Sequence, residues 1–311
     1  MSASEVAAAM AKGLRGTGLV PEELPLADGG DGTMDALTRT LGGELVPARV
    51  TDPLGRPIEA RFARLPDGRA VVEVAAASGL TLVAAERRDA WAATSWGTGE
   101  LIAAAARAGA RRVLVAAGGS AGTDGGIGAI EALREAHVAV ELTVLCDVRI
   151  PFERAAPMFA PQKGADPGTV ARLERRLEEI AAAAPRDPRG VPLTGAAGGL
   201  AGGLWAHLGA ELVPGAGFVL DQLGFDARLA GSALVLTGEG RLDRGSLAGK
   251  LVSEVAIRCR RAGVPCCAIV GASELPSESA SALGLAGVVR AGDPAAIAAA
   301  ARRLGRGLSA T

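Results

Sequence analysis

The chain has 311 residues, of which 49% are hydrophobic, 22% are charged and 3% are aromatic. At roughly 100–200 residues per domain, this length favours two domains. The net charge is −1 and like charges do not cluster, which argues against binding to nucleic acids or to a membrane surface. No apolar run reaches the roughly 20 residues of a membrane span. The four cysteines lack metal-ligand spacing and are typical of reduced thiols, so we expect a cytoplasmic protein.

Helices and strands alternate along the chain. We predict helices at 2–15, 98–108, 168–184, 196–208, 247–262 and from 294 onwards, and strands at 44–50, 56–75, 111–117, 140–147, 233–240 and 265–272. Ser2 and Glu5 have the spacing of a capping box at the start of the first helix, and Pro66-Asp67-Gly68 predicts a hairpin turn within 56–75. The alternation predicts an α/β fold with mostly parallel sheets. The segment 185–192, PRDPRGVP, is the best candidate for a linker.

Four predicted strand ends are rich in glycine and carboxylates, and ligands of parallel sheets bind beyond such ends. The four stretches are LPLADGGDGT with Asp28 and Asp31, AAGGSAGTDGG with Ser120, Thr123 and Asp124, LCDVRIPF followed by FAPQKGA with Asp147 and Lys163, and LTGEGRLDRGSLAGK with Glu239, Arg241, Asp243 and Lys250. Glycine lets backbone N–H groups converge on phosphate oxygens. Carboxylates can hold Mg²⁺ or orient a hydroxyl, and lysine can neutralise a transferring phosphoryl group. The loops therefore predict phosphate chemistry.

A serine hydrolase is the main alternative. Gly118–Gly122 matches G-x-S-x-G after a strand, and Ser120, Asp147 and His207 occur in the order of a catalytic triad. However, His207 lies in an apolar helical stretch, where we expect a packed side chain. A nucleotide-binding protein without catalysis is a second alternative. Neither G-x-x-x-x-G-K-[ST] nor G-x-G-x-x-G is present, which argues against a P-loop protein and a dinucleotide-binding enzyme.

The same stretches resemble the bacterial glycerate kinase family, the type unrelated to P-loop kinases. The matching segments are LPLADGGDGTMDAL, VTDPLGRPIEA, VEVAAASGL, WGTGELIAAA, GGSAGTDGGIGAIEAL, FAPQKGAD, GAAGGLAGGLWAHLGAEL and LTGEGRLDRGSLAGK. The resemblance implies ATP and Mg²⁺ as cofactors, D-glycerate or a similar hydroxy acid as acceptor, and 2-phosphoglycerate as product. It also implies two α/β domains, Rossmann-like or flavodoxin-like, with the active site in the cleft. We expect one domain from 1–45 plus 195–311, an inserted domain from 46–194, and a monomer or homodimer.

The resemblance, together with the chemistry of the side chains, suggests a role for each loop residue. Asp28 would orient the acceptor hydroxyl or act as its base, Arg241 would bind the glycerate carboxylate, and Lys163 would meet the phosphoryl group. The expected Mg²⁺ ligands are Asp124, Glu239 and Asp243. The expected nucleotide contacts are Gly29, Gly30, Gly118, Gly119, Ser120, Thr123, Gly125, Gly126 and Lys250.

The chain departs from the family pattern in two places. Thr123 stands where members usually have asparagine. Members also open with a strand and a lysine-bearing loop before the first helix, whereas this sequence begins at that helix. We therefore expect the apolar strand near 264–272, or a neighbour, to have an open edge.

Overall fold

The computed structural model describes residues 1–242, 250–274 and 276–308, which fall into two compact units. The strands of the described chain are β1 Glu44–Thr51, β2 Pro57–Arg64, β3 Arg69–Glu73, β4 Arg112–Ala117, β5 Glu141–Cys146, β6 Glu211–Pro214, β7 Val235–Leu242, β8 Cys266–Ser273 and β9 Gly287–Arg290. Its α-helices are α1 Ala3–Leu14, α2 Thr33–Leu41, α3 Val74–Ser78, α4 Trp96–Arg107, α5 Ile127–Glu135, α6 Ala155–Phe159, α7 Pro167–Ala183, α8 Leu200–Leu208, α9 Gly215–Gln222, α10 Phe225–Leu229, α11 Leu251–Ala262, α12 Ser277–Ala282 and α13 Pro294–Leu308. The predicted α/β fold with mostly parallel sheets is confirmed. None of the described helices is long and apolar enough to cross a membrane.

The middle unit comprises residues 28–219 and is built on one sheet with the strand order β1-β2-β3-β4-β5-β6. Strands β1, β2 and β3 pair antiparallel, and the Pro66-Asp67-Gly68 hairpin between β2 and β3 is confirmed. Strands β3 to β6 run parallel, so their carboxyl ends meet at one edge. The largely apolar strands β3, β4 and β5 are buried on both faces, as expected of parallel strands covered by helices.

The split unit joins residues 1–27 to residues 220–311 and contains the parallel sheet β7-β8-β9. Helix α1 begins with the predicted capping box, in which the Ser2 hydroxyl accepts from the Glu5 amide and the Glu5 carboxylate accepts from the Ser2 amide. It packs closely on α13, since a Cβ on Gly13 would lie 2.1 Å from the Ala298 carbonyl oxygen. An open edge was expected at 264–272 or at a neighbouring strand. Strand β8 pairs on both sides, and its neighbours β7 and β9 are the outer strands of this sheet among the described residues.

The limits of the units differ from the domain limits expected from the sequence. Residues 28–45 group with the middle unit because α2 packs on β2 and β3. Residues 195–219 do so because α8 packs on α5 and β5, and β6 extends the sheet. The expected linker, 185–192, lies inside the middle unit, where Arg189 pairs with Asp187 and Glu178.

Candidate active site

The carboxyl edge of the middle sheet gathers polar groups from three strands. Glu73 is the last residue of β3, Gly118 follows β4 and Asp147 follows β5. Because these strands are parallel neighbours, their ends lie side by side. This edge is the candidate active site of the middle unit.

A glycine-rich segment, Asp28–Asp31, crosses this edge and is called the acidic loop below. Its glycines allow close backbone contact: a Cβ on Gly29 would lie 2.7 Å from the Cα of Gly215, and a Cβ on Gly118 would lie 2.6 Å from the Cα of Gly30. Real Cβ atoms do not approach other atoms so closely, so only glycine fits. The packing holds the acidic loop, with its two carboxylates, against the ends of β4 and β5.

The carboxylates at this edge repel one another. Partial burial, reinforced by the Asp28 charge, raises the pKa of Asp31. Burial also raises the pKa of Glu73, and the charges of Asp31 and Asp35 add to this effect. The Glu73 carboxylate accepts a hydrogen bond from the Met34 amide at 2.8 Å. The edge therefore carries closely spaced negative charge.

A lysine stabilises the turn after β4, Gly118–Gly122, which is called the serine turn below. The Lys163 ammonium donates to the Ser120 hydroxyl at 2.9 Å and to the Gly122 carbonyl at 2.5 Å. Lys163 is only 3% exposed. Burial lowers the pKa of its amine to about 8, although the charges of Asp124 and Asp147 act in the opposite direction. Lys163 thus places a buried positive charge directly behind the serine turn.

Asp124 is a buried hydrogen-bond centre, 2% exposed. Its Oδ2 accepts from the Ser95 amide at 2.7 Å, the Ser95 hydroxyl at 2.8 Å, the Thr94 hydroxyl at 3.2 Å and the Gly128 amide at 3.3 Å. Its Oδ1 accepts from the Gly126 amide at 3.1 Å. These contacts join the start of α4 to the start of α5, so Asp124 fixes the conformation of the loop that precedes α5.

Most of the glycine loop after Ser120 is internal. Thr123 is fully buried, and its hydroxyl has no hydrogen-bond partner among the described residues. A Cβ on Gly125 would lie 3.0 Å from Phe152, and one on Gly126 would lie 2.9 Å from the Cα of Leu200. These glycines serve close packing, whereas Gly119 and Ser120 reach the surface.

The remaining sequence-predicted residues lie in the split unit, at the end of β7 and the start of α11. Glu239 is half-buried and lines a cavity of about 400 Å³. Arg241 is exposed and pairs with Glu274, and Lys250 precedes α11, whose Ser253 hydroxyl donates to its carbonyl. Asp243 lies outside the described residues.

The contacts of Asp124 favour a structural role over that of a magnesium ligand. Its carboxylate is buried and its oxygens accept five hydrogen bonds from the protein, four of them on Oδ2. Within residues 1–242, 250–274 and 276–308, no three His, Cys, Asp or Glu side chains form a group that could hold a metal ion. Of the three predicted ligands, Glu239 lies half-buried against a cavity of the split unit and stays a predicted ligand.

The hydrolase triad is not assembled. The Ser120 hydroxyl pairs with Lys163, and neither ring nitrogen of His207 has a hydrogen-bond partner in the described chain. His207 lies near the end of α8, just before the amino end of β6, whereas Ser120 follows the carboxyl end of β4. Burial, aided by the charge of Arg134, lowers the pKa of His207. This is the packed histidine expected from the sequence.

Sequence reasoning missed two residues that organise the site. Glu73 ends an apolar strand, so the strand-end rule that identified Asp147 could also have identified it. Ser95 links α4 to Asp124 and to the Ala129 amide. No local pattern marks Ser95, because its partners come from another part of the chain.

Comparison with known proteins identifies the family. Residues 1–139 and 133–306 match the model of the glycerate kinase family. The chain is 37% identical to a glycerate kinase of Bacillus subtilis (strain 168), over 87% of this chain and 81% of the relative. It is 37% identical to a glycerate 2-kinase of Escherichia coli (strain K12), over 87% of this chain and 82% of the relative.

A solved structure agrees with these matches. The crystal structure of a protein assigned as glycerate kinase 2 from Salmonella typhimurium LT2 superposes with a TM-score of 0.80 and 32% identity, covering 100% of this chain and 95% of that chain. The resemblance seen in the sequence motifs is confirmed. The chain belongs to the glycerate kinase family.

Proposed function

We propose that this protein is a glycerate kinase, which transfers the terminal phosphoryl group of a nucleoside triphosphate to a hydroxyl of glycerate. The observation that carries the proposal is the match, over 87% of the chain, to two relatives named as glycerate kinases. The protein is accordingly a phosphotransferase that uses a nucleotide donor and a small hydroxy acid. ATP as donor, D-glycerate as acceptor and 2-phosphoglycerate as product are the finer parts of the proposal. The last is supported by the name of the Escherichia coli relative, a glycerate 2-kinase.

The acidic loop is the proposed acceptor site. Asp28 is half-buried; its Oδ1 accepts from the Gly30 amide at 3.2 Å, and its Oδ2 has no hydrogen bond from the described residues. Oδ2 can therefore accept a hydrogen bond from the acceptor hydroxyl and orient its oxygen for in-line attack on phosphorus. Asp28 is thus the proposed catalytic carboxylate.

The serine turn is the proposed phosphate contact. The Ser120 oxygen accepts from Lys163, so its own O–H is free to donate outward to a phosphate oxygen. The buried ammonium lies behind this hydroxyl in a poorly screened position, where a charge acts more strongly than in water. Phosphoryl transfer depends chiefly on such positioning and electrostatic stabilisation.

Asp124 is reassigned from metal ligand to positioning residue. We propose that Mg²⁺ enters with the nucleotide and neutralises phosphate charge, as is common for an ion held by one or two carboxylates and substrate phosphates. Glu239, Arg241 and Lys250 stay predicted ligand contacts of the split unit. The four cysteines are buried free thiols, which supports the proposed cytoplasmic location; a monomer or homodimer stays a prediction.

A coupled assay of ADP release tests the proposal. We expect turnover only when D-glycerate, ATP and Mg²⁺ are all present, and ³¹P NMR of the product should show phosphate on the C2 oxygen. A panel of lactate, glycolate and L-glycerate defines the acceptor. Hydrolysis of a p-nitrophenyl ester without glycerate turnover would favour the hydrolase, and ATP binding without any phosphorylated product would favour a non-catalytic homologue.

A further inference from the structure

Glu73 is a partly buried carboxylate for which the proposed chemistry has no role. It lies at the end of β3, and its Oε1 accepts from the Met34 amide at 2.8 Å. The Gly32 amide also lies near this carboxylate and favours its charged form. Both amides belong to the start of α2, which immediately follows the acidic loop.

Helix α2 has no cap from its own sequence. Its N-cap residue is Gly32, at φ +87°, which has no side chain to accept the first amides of the helix. Unpaired amides at a helix start need an acceptor, and a carboxylate there also interacts favourably with the helix dipole. Glu73, 39 residues away in sequence from Met34, supplies that acceptor from a different element.

The acidic loop is consequently fixed at both ends. Its beginning packs by Gly29 against Gly215 and the Leu145 carbonyl, and its end leads into the amides held by Glu73. Between these anchors, the Asp31 carboxylate lies against the serine turn, since a Cβ on Gly119 would be 2.7 Å from its Oδ1. Glu73 therefore holds the segment that directly follows both loop carboxylates.

We infer that Glu73 is a positioning residue, which fixes the acidic loop over the sheet edge by capping α2. The inference rests on the proposed function, because it assigns the acidic loop to the acceptor site. A neutral amide could accept the same hydrogen bonds, so the negative charge of Glu73 has a separate effect. The charges of Asp31, in the loop before α2, and of Asp35, on α2, help to raise the pKa of Glu73, and the repulsion between carboxylates is mutual.

Two substitutions separate the cap from the charge. Glu73→Ala removes both, and we expect kcat to fall by ~10²-fold, the scale of a misplaced reacting group, with the KM for the nucleotide changed less than about 2-fold. Glu73→Gln keeps an acceptor oxygen for the amides and should restore most of kcat. Because Glu73→Gln removes one negative charge beside Asp31, the Asp31 carboxyl should titrate at lower pH.

Glu100→Gln is the matched control. Glu100 is also a carboxylate that holds backbone, accepting from the Thr51 amide at 2.6 Å and the Thr51 hydroxyl at 2.9 Å, but it lies on α4. We expect it to leave kcat and the pH profile unchanged. Wild-type kcat in Glu73→Ala would overturn the inference, and so would a Glu73→Gln variant as slow as Glu73→Ala.

Two measurements without substrate keep this test separate from the proposed function. Hydrogen exchange of the Gly32 and Met34 amides should be faster in Glu73→Ala and near wild type in Glu73→Gln. Carboxyl ¹³C NMR should show Asp31 titrating at lower pH in Glu73→Gln. If the wild type has no glycerate kinase activity but the amide exchange and the Asp31 titration change as expected, the proposed function fails while the cap stands. If amide exchange in Glu73→Ala is the same as in the wild type, the cap is overturned. If Glu73→Ala does not fold, hydrogen exchange in the wild-type protein still decides, because a Met34 amide that exchanges as fast as an unprotected amide overturns the cap.

Discussion

Replacing Asp124 by asparagine should chiefly lower the folding stability of the protein, because Asp124 is a positioning residue and not a metal ligand in this proposal. The carboxylate accepts four hydrogen bonds on Oδ2 and one on Oδ1, all inside the middle unit. An asparagine can direct its oxygen toward Ser95 and Thr94, but its NH₂ group then faces the Gly126 amide. Two donors would oppose each other in a site that is 2% exposed. No rotation of the side chain satisfies both sides.

The magnitude follows from these contacts. Asp124→Asn loses the bond to Gly126 and leaves a buried donor unsatisfied, which costs ~1–3 kcal/mol. The remaining bonds lose their charged acceptor, and hydrogen bonds to charged groups contribute more than neutral ones. We expect a loss of about 3 kcal/mol in the free energy of unfolding. For a unit of this size, that corresponds to a fall of roughly 6–12 °C in melting temperature.

Asp28→Asn provides the matched comparison. Asp28 is half-buried and has one hydrogen bond, from the Gly30 amide, among the described residues. We expect its melting temperature to stay near wild type while kcat/KM falls by ~10²-fold or more, as for a lost base or orienting group. Calorimetry and the ADP-release assay on both variants measure the contrast. A wild-type melting temperature in Asp124→Asn, together with a large loss of kcat/KM, would refute the positioning role and restore the metal-ligand interpretation.

Three further substitutions test the serine turn. Burial lowers the pKa of Lys163, so its charged form costs free energy in the folded protein below pH 8. The stability of the wild type relative to Lys163→Met, measured by urea unfolding, should therefore rise by about 3 kcal/mol between pH 8 and 10.5. A difference that stays constant over this range would contradict the reasoning. Ser120→Ala should reduce kcat/KM by ~10-fold, the scale of one hydrogen bond, whereas a loss above ~10³-fold would indicate a nucleophile. Gly118→Ala should push the serine turn away from Gly30 and abolish detectable turnover. Gly307→Ala is the control and should keep wild-type turnover, because the space around its added Cβ is open. Equal activities of the two variants would exclude close packing at Gly118.

The strand-end rule identified much of the candidate site from sequence. Asp147 directly follows an apolar run, and the run itself predicts a buried parallel strand. Glu73 also lies at a strand end, but the strand predicted from the sequence runs on to residue 75, whereas β3 ends at Glu73. The structure shows that β3 is antiparallel to β2 and parallel to β4. Only the partner on its second side places Glu73 at the site, and that partner is not encoded locally.

Glycine patterns were harder to interpret, because glycine serves two purposes. In the sequence, Gly125 and Gly126 look like the backbone of a phosphate loop. In the structure they face Phe152 and Leu200, whose positions are set by segments later in the chain. Close approach to a ligand and close approach to a side chain leave the same local signature. The two can be separated only when the packing partners are known.

The same long-range dependence explains the unit limits. A segment rich in proline and arginine resembles a linker when it is read alone. In the folded chain, Arg189 pairs with Asp187 and Glu178, and the Thr194 hydroxyl donates to the Pro188 carbonyl. These contacts hold the segment inside the middle unit. Composition indicates where a chain can be irregular, whereas packing decides where a unit ends.

Lys163 shows how charge and rigidity arise from one side chain. A surface lysine would meet phosphate directly, but its flexible stem would have to be ordered each time a ligand binds. Lys163 is ordered by the fold, since its ammonium is bound by Ser120 and Gly122, and a Cβ on Gly198 would lie 3.0 Å from its Nζ. Its direct contact is with the Ser120 hydroxyl, which it orients, while its charge acts on the site electrostatically. A preorganised donor of this kind needs no rearrangement as charge develops on the phosphoryl oxygens, which is how electrostatic stabilisation is most effective.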